Sequence, residues 1–230
     1  AGPHGELQAR LDKMTRIFPG SKSSACSQTW NKNLCNTILN ENSINTPNSI
    51  LLNNLKNCSN NPFDCFEKKF GYKPNLFMKP CEDGSSIDIF KISNDEDYKK
   101  AKLNCLNLER EFIFEEEIGG KEFTVTIIGN QCYPVIEIKT KNDFYDYDAK
   151  YISDDTILDQ AKLSDNELNT IHDIALRAFC ALKCSGWARV DIIQDINGDF
   201  NVIEINTVPG MTSHSCVPKS GGFMGLSYQD

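Results

Sequence analysis

Arg189, Asp191, Glu204 and Asn206 have the residue types and spacing of a metal-binding face. They lie in two alternating apolar and polar runs, 187–194 and 200–206, around Asn197-Gly198, the dipeptide that two-residue type I′ hairpins demand. With those two residues as the loop, Asp191 stands opposite Glu204 and Arg189 opposite Asn206. All four side chains then emerge on one face, and Ala188, Val190, Ile192, Ile203 and Ile205 fill the other. Carboxylates directly opposite each other, with Cβ atoms about 4.5–5.5 Å apart, repel unless a cation sits between them. Carboxylate and amide oxygens so placed suit Mg²⁺, which keeps waters and shares its remaining positions with phosphate oxygens. The plainer alternative is a solvated face on which Arg189 neutralises the acids, and spacing alone does not choose between the two.

Residues 79–86, Lys-Pro-Cys-Glu-Asp-Gly-Ser-Ser, form a second constellation. Small residues let backbone N–H groups approach an anion, and Lys79 supplies a point charge. Neither a P-loop spacing nor a GxGxxG pattern occurs, so this stretch taken alone also reads as an ordinary turn. The hydroxyl-rich loop 207–215, Thr-Val-Pro-Gly-Met-Thr-Ser-His-Ser, leaves the acidic hairpin directly. Loops positioned by a rigid sheet are where substrate groups are usually held.

The elements behind these sites are legible to different degrees. Residues 165–183 read as the best helix: Leu168, Ile171, Ala175, Ala178, Phe179 and Leu182 share a face, and Ser164 can cap its start. That face is expected against the strands that follow. Strands are expected at 75–78, 87–92, 111–118, 122–128 and 133–140, the last two joined by a hairpin at Gly129-Asn130-Gln131, with a helix over 95–108. Leu7, Leu11 and Met14 recur at helical spacing, and the segment after Trp30 through Leu39 reads as a second helix. Residues 21–61 are rich in Ser and Asn, which favours caps, turns and a mobile linker.

A chain of 230 residues with 40% apolar content can bury a real core, and its formal charge of −8 argues against a broad cationic surface for nucleic acid or anionic lipid. Apolar runs are far shorter than the roughly 20 residues of a membrane span, and no export signal is visible. Ten cysteines in so long a chain read as reduced thiols of a cytosol-like compartment, with Cys180 and Cys184 as core packing on a helix. His172 is expected to be exposed.

Three stretches resemble the D-alanine–D-alanine ligases of the ATP-grasp superfamily: 144–151 (Phe-Tyr-Asp-Tyr-Asp-Ala-Lys-Tyr), 186–191 (Gly-Trp-Ala-Arg-Val-Asp) and 204–215, which opens Glu-Ile-Asn-Thr-Val-Pro-Gly-Met. The likeness runs from about residue 5 to the end. It implies an α+β ATP-grasp fold in which two subdomains with mostly antiparallel sheets grip ATP. The implied division is a junction remnant at 1–24, a central subdomain at 25–114 and a C-terminal subdomain at 115–230. The implied reaction is phosphorylation of one D-alanine carboxylate by ATP and attack of a second D-alanine's amine on the acylphosphate. Cell-wall biogenesis, a cytoplasmic location and a small-molecule substrate go with it, and a homodimer is allowed.

By the same matching, Asp191, Glu204 and Asn206 correspond to ligands of Mg²⁺ (or Mn²⁺). Lys32 and Lys79 correspond to the lysines on the ATP phosphates, and Ser85 and Ser86 to the loop over them. Residues 115–118, with Glu115, Glu116 and Ile118, correspond to the hinge on adenine, and Glu122 to the acid on ribose. Lys150 and Tyr151 correspond to the lid, with Tyr151 bonding toward Ser85. Arg189 and the Gly210 N–H correspond to oxyanion donors, and Ser215, with Cys216 beside it, to the second substrate's carboxylate site.

The sequence also departs from the family. The preceding substrate domain is missing, and the junction has shrunk to Gly2-Pro-His-Gly5 without its acidic pair. Asp88 stands where a glycine is usual and brings a negative charge near the phosphates, Cys216 replaces an aliphatic residue, and the chain stops at Asp230. Three readings follow: a truncated ligase, a degenerate ATP-binding interaction module, or an ATP-grasp ligase for another carboxylate and amine.

Overall fold

The computed structural model describes residues 4–14, 18–84, 87–139 and 157–229. Two antiparallel sheets organise them. The smaller has the order β1-β4-β2-β3, from Ser49–Asn53, Glu111–Glu116, Leu76–Pro80 and Phe90–Ile92. The larger has the order β10-β9-β5-β7-β8, from Phe200–Asn206, Trp187–Gln194, Lys121–Ile128, Ile136–Lys139 and Ile157–Gln160, and the short β6 (Gln131–Cys132) also pairs with β5. Residues 117–120 alone connect β4 of the small sheet to β5 of the large one. Among the described residues no helix is long and apolar enough to cross a membrane.

Each sheet carries its own core. Phe112 and Phe114 of β4, with Leu76 and Met78 of β2, pack under α4 (Pro62–Phe70) and α5 (Asp95–Asn104). On the large sheet Phe123, Val125, Ala188, Val190, Ile192, Val202 and Ile205 pack against α6 (Asp165–Ala181). Ile171, Ala175, Ala178 and Phe179 of α6 are buried there, and Ser164 and Glu167 close a capping box at its start. The Asn-rich stretch is not the linker its composition suggested. It holds α2 (Ser23–Trp30), α3 (Lys32–Glu41) and β1, because Ala25, Cys35, Leu39 and Ile44 reach the large-sheet core. Asn residues serve at the ends: Asn31 and Asn61 accept from the first amides of α3 and α4. α1 spans Glu6–Lys13.

Several expected boundaries move for visible reasons. α5 stops at Asn104 instead of 108, since Leu103 and Leu106 are 85% and 80% exposed and the Leu106 amide donates to the Asp88 carboxylate. β3 starts at Phe90 because Asp88 takes the left-handed region at φ 55°. Pro134 separates β6 from β7. Cys180 is exposed and Cys184 lies beyond the helix, so the two are not a packed helical pair. His172 is half buried, with an Nε2 that finds no partner among the described residues.

The acidic hairpin corrects the expected turn. Its tip is a three-residue loop, 196–198, in which the Gly198 amide donates to Asp195 O at 3.1 Å and the Asp195 amide to Asp199 O at 2.9 Å. Gly198, at φ 91°, supplies the left-handed residue that ends such a loop. Phe200 therefore pairs with Gln194 and Val202 with Ile192, one residue off the expected register. A bulge between Val202 and Glu204 restores it, and Glu204 faces Asp191 while Asn206 faces Arg189. Val202 takes the core position expected for Ile203, which turns to the other face. Burial decides the register: the observed one places Phe200 and Val202 in the core, whereas the unbulged one would place Asn201 there.

Candidate functional site

A cleft of about 830 Å³, open to solvent, lies between the two sheets, and its lining includes Lys32, Lys79, Glu115, Ile118, Glu122, Asp191 and Glu204. Apolar lining comes from Phe77, Ile89, Ile193 and Ile203, so the bulge that set the register also gives the cleft a wall.

On the large-sheet side, β9 is the strand between β5 and β10, and Thr124, Asp191 and Glu204 form one row across the three. Asp191 is buried, and Arg189 two residues earlier grips it in a fork, Nε to Oδ1 at 2.9 Å and Nη2 to Oδ2 at 2.8 Å. Burial opposes the guanidinium's charge, but the Asp191 carboxylate outweighs it and lifts Arg189 above its ordinary pKa. The hydroxyls of Thr124 and Thr126, opposite Asp191 and Arg189, are buried with no partner among the described residues. Asn206 Oδ1 already accepts the Val208 amide at 3.0 Å, which turns the 207–215 loop away from the strand and leaves that oxygen a second lone pair.

On the small-sheet side, Lys79 at the end of β2 forms an ion pair with Glu115 of β4, whose carboxylate also accepts from Asn36 Nδ2 at 3.0 Å. Glu115 is only 1% exposed, so its charge is held entirely by these partners. Lys32 opens α3, and its Nζ donates to Asp83 O at 2.7 Å. Burial pushes the Lys32 pKa down, while the charge of Glu204 across the cleft pulls it up.

Glu115, Glu116, Ile118 and Glu122 all line the cleft, and the Glu116 carboxylate accepts from the Asn48 amide at 2.8 Å and from the Tyr72 hydroxyl. The carboxylates of Glu115 and Glu116 therefore brace the wall of the cleft. Asp88 is not a stray charge by the phosphates either: its carboxylate is buried and paired with Arg110.

Gly210 and Ser215 meet in the loop after β10. A Cβ on Gly210 would lie 2.9 Å from Ser215 Oγ, so only glycine brings the backbone this close. Ser215 Oγ accepts the Thr212 amide at 3.1 Å and caps α7 (Cys216–Phe223) in position, though it makes no capping bond itself. Cys216 departs from the expected substrate role. Its side chain is buried with Ile136, Ile138 and Leu158, and burial raises its thiol pKa. The expected roles of Ser85, Ser86, Lys150 and Tyr151 fall outside the described residues.

Sequence reasoning missed Asn36, Asp83 and Arg110. Asn36 sits in the Asn-rich stretch with nothing to mark it from its neighbours, and Arg110 lies about eighty residues beyond the lysine it sits near.

Two α+β units closing antiparallel sheets on a cleft with lysines on one side and opposed acids on the other define the ATP-grasp class. Residues 38–230 match the family described as D-ala D-ala ligase C-terminus. The chain is 37% identical over 230 residues to a D-alanine–D-alanine ligase of Marinomonas sp. (strain MWYL1), covering 99% of this chain and 70% of that protein. It is 39% identical over 155 residues to the D-alanine–D-alanine ligase of Mannheimia succiniciproducens, covering 67% of this chain and 50% of that one. Among solved structures, the Bacillus anthracis D-alanine–D-alanine ligase complexed with ATP superposes with a TM-score of 0.82 at 27% identity, over 99% of this chain and 71% of its own. The chain belongs to the D-alanine–D-alanine ligase family and spans 50% to 71% of the length of these relatives.

Proposed function

We propose that this chain carries the nucleotide and metal half of an ATP-dependent ligase that joins two D-alanines through an acylphosphate. The observation that carries the proposal is the opposed pair Asp191 and Glu204 lining, with the two lysines at 32 and 79, one cleft.

ATP enters with its base toward 115–118 and its ribose toward Glu122. Lys32 and Lys79 hold the phosphates, each set by a neighbour: Lys32 by the Asp83 carbonyl and Lys79 by Glu115. Asp191, Glu204 and the amide oxygen of Asn206 fit a hard divalent cation, since Mg²⁺ takes one or two carboxylates and fills its remaining positions from phosphate and water. Bound there, Mg²⁺ would neutralise charge on the transferring phosphoryl group. Arg189, held by Asp191, directs its remaining donors toward negative charge that grows on the attacked carboxylate, and the Gly210 amide joins it. Donors fixed before the reaction act most strongly in a site that excludes water. Ser215 Oγ receives the carboxylate of the second D-alanine.

The test is phosphate release from Mg²⁺-ATP that requires D-alanine, run with Asp191→Asn and Glu204→Gln beside the wild type. D-alanine-dependent release lost in both variants supports the reading. Release driven by another amino acid and not by D-alanine moves the substrate assignment, and the absence of any nucleotide-dependent thermal shift ends the nucleotide reading altogether.

A further inference from the structure

Arg110 lies outside every motif, yet its guanidinium is spent on the loop beside Lys32. Nη1 pairs with the Asp83 carboxylate and Nη2 with that of Asp88, while Nε donates to Asn107 O at 3.1 Å. Next to Asp83 and Asp88, the Ile87 amide donates to Gly84 O at 3.3 Å. Asp83 offers its backbone carbonyl to Lys32 Nζ at 2.7 Å, so one residue binds Arg110 through its side chain and Lys32 through its main chain. Asp88 is fixed in turn, its carboxylate accepting from the Leu106 amide at 3.2 Å and from the Cys105 thiol. Gly84 is backed by the Trp30 ring, 3.4 Å from where a Cβ would stand. A planar guanidinium bridging two carboxylates fixes both in direction and distance, which a lysine ammonium cannot reproduce.

We propose that Arg110 is a positioning residue for phosphate binding: it staples Asp83 to Asp88 and so holds the carbonyl that aims Lys32 into the cleft. This rests on the nucleotide reading above and adds to it a specific anchor. The staple acts on the phosphate end of the ligand and leaves the base end, at 115–118, untouched.

Calorimetric binding of Mg²⁺-ATP and of adenosine to this chain separates the possibilities. Arg110→Ala is expected to weaken ATP by about tenfold, the scale of a lost charge-assisted hydrogen bond, with adenosine binding unchanged. Arg110→Lys recovers part of the loss, and adding Arg110→Ala to Lys32→Ala weakens ATP no further than Lys32→Ala alone. Equal loss of ATP and adenosine, or ATP binding at the wild-type level, overturns the proposal. Should Arg110→Ala not fold, Asp83→Asn carries the test, because it leaves the Arg110–Asp88 pair in place; unchanged ATP affinity in that variant overturns the proposal equally. A wild-type chain that binds adenosine and ATP with the same affinity removes the phosphate anchor, whereas one that binds neither removes the nucleotide reading itself.

Discussion

The two walls of the cleft each bury a cation against a carboxylate, and they do so differently. On the small sheet Lys79 reaches across from β2 to Glu115 on β4, and Asn36 completes the carboxylate's shell. On the large sheet Arg189 and Asp191 lie on one strand, two residues apart, and Glu204 adds a second acid directly opposite. The small wall, with Lys32 nearby, brings two ammonium groups to the cleft that can meet an anion. The large wall is left with negative charge and calls for a further cation. Opposed charge across one cleft is what a metal-bound polyphosphate needs, and neither wall alone would select it.

The largest expected effect tests the small wall. Lys79→Met leaves Glu115 buried without its partner, and such broken pairs cost about 3–5 kcal/mol, read as a lower urea midpoint at unchanged m-value. Adding Glu115→Gln, which keeps the acceptor for Asn36, should recover most of that stability but none of the ATP binding. Phe200→Ala tests the large wall on the same scale, about 3–5 kcal/mol, because it empties the core position that fixes the hairpin register.

The comparison sharpens with Arg189→Met. Two facing acids then lack their resident cation, and millimolar Mg²⁺ without nucleotide should raise the melting temperature of this variant more than that of the wild type. Lys79→Met should gain nothing from the same addition. Equal responses would mean that the walls do not differ in the sense proposed.

A smaller effect appears at high pH and should be shared by both walls. Burial lifts the thiols of Cys81, at the end of β2, and Cys184, under the large sheet, to about 12, and that of Cys132 to about 11. A thiol with a raised folded pKa adds stability that is complete below the unfolded value near 9 and is lost as pH climbs through the folded value. Stability should therefore fall between pH 9 and 12, by about 1.4 kcal/mol per pH unit for each thiol that ionises only on unfolding. Lys32, with its lowered pKa, works in the opposite direction below its ordinary value. Cys81→Ser and Cys184→Ser should each flatten the decline. Smallest is Ser164→Ala, which opens the capping box of α6 at a cost of about 1 kcal/mol in the same denaturation assay.

What the sequence shows depends on how local the deciding interaction is. α6 is legible because its cap, its apolar face and two of its strand neighbours, β9 and β10, follow one another between 164 and 206. The opposition of Asp191 and Glu204 is also legible, but the route to it is not: the type I′ turn is absent, and the pairing holds because a longer loop is offset by a bulge. No short-range pattern reveals that Phe200 must enter the hydrophobic core instead of Asn201. Lys79 is visible as a cation near small residues, whereas its dependence on Glu115 and Asn36 joins three segments that only the folded chain brings together. The Asn-rich stretch misleads for the same reason, since Ala25, Cys35, Leu39 and Ile44 are spent on a core built mainly from the other half of the chain.

The bulge at Ile203 works as a slip joint. Between it and the tip the two strands run one residue out of step with the rest of the hairpin, yet beyond it Glu204 meets Asp191 as it would in an unbulged ribbon with a two-residue loop. Shortening the chain by one at Ile203 therefore leaves the acids facing each other, and so does shortening it by one at Ile196. The tip of this hairpin is free to gain or lose length without disturbing the chemistry at its base.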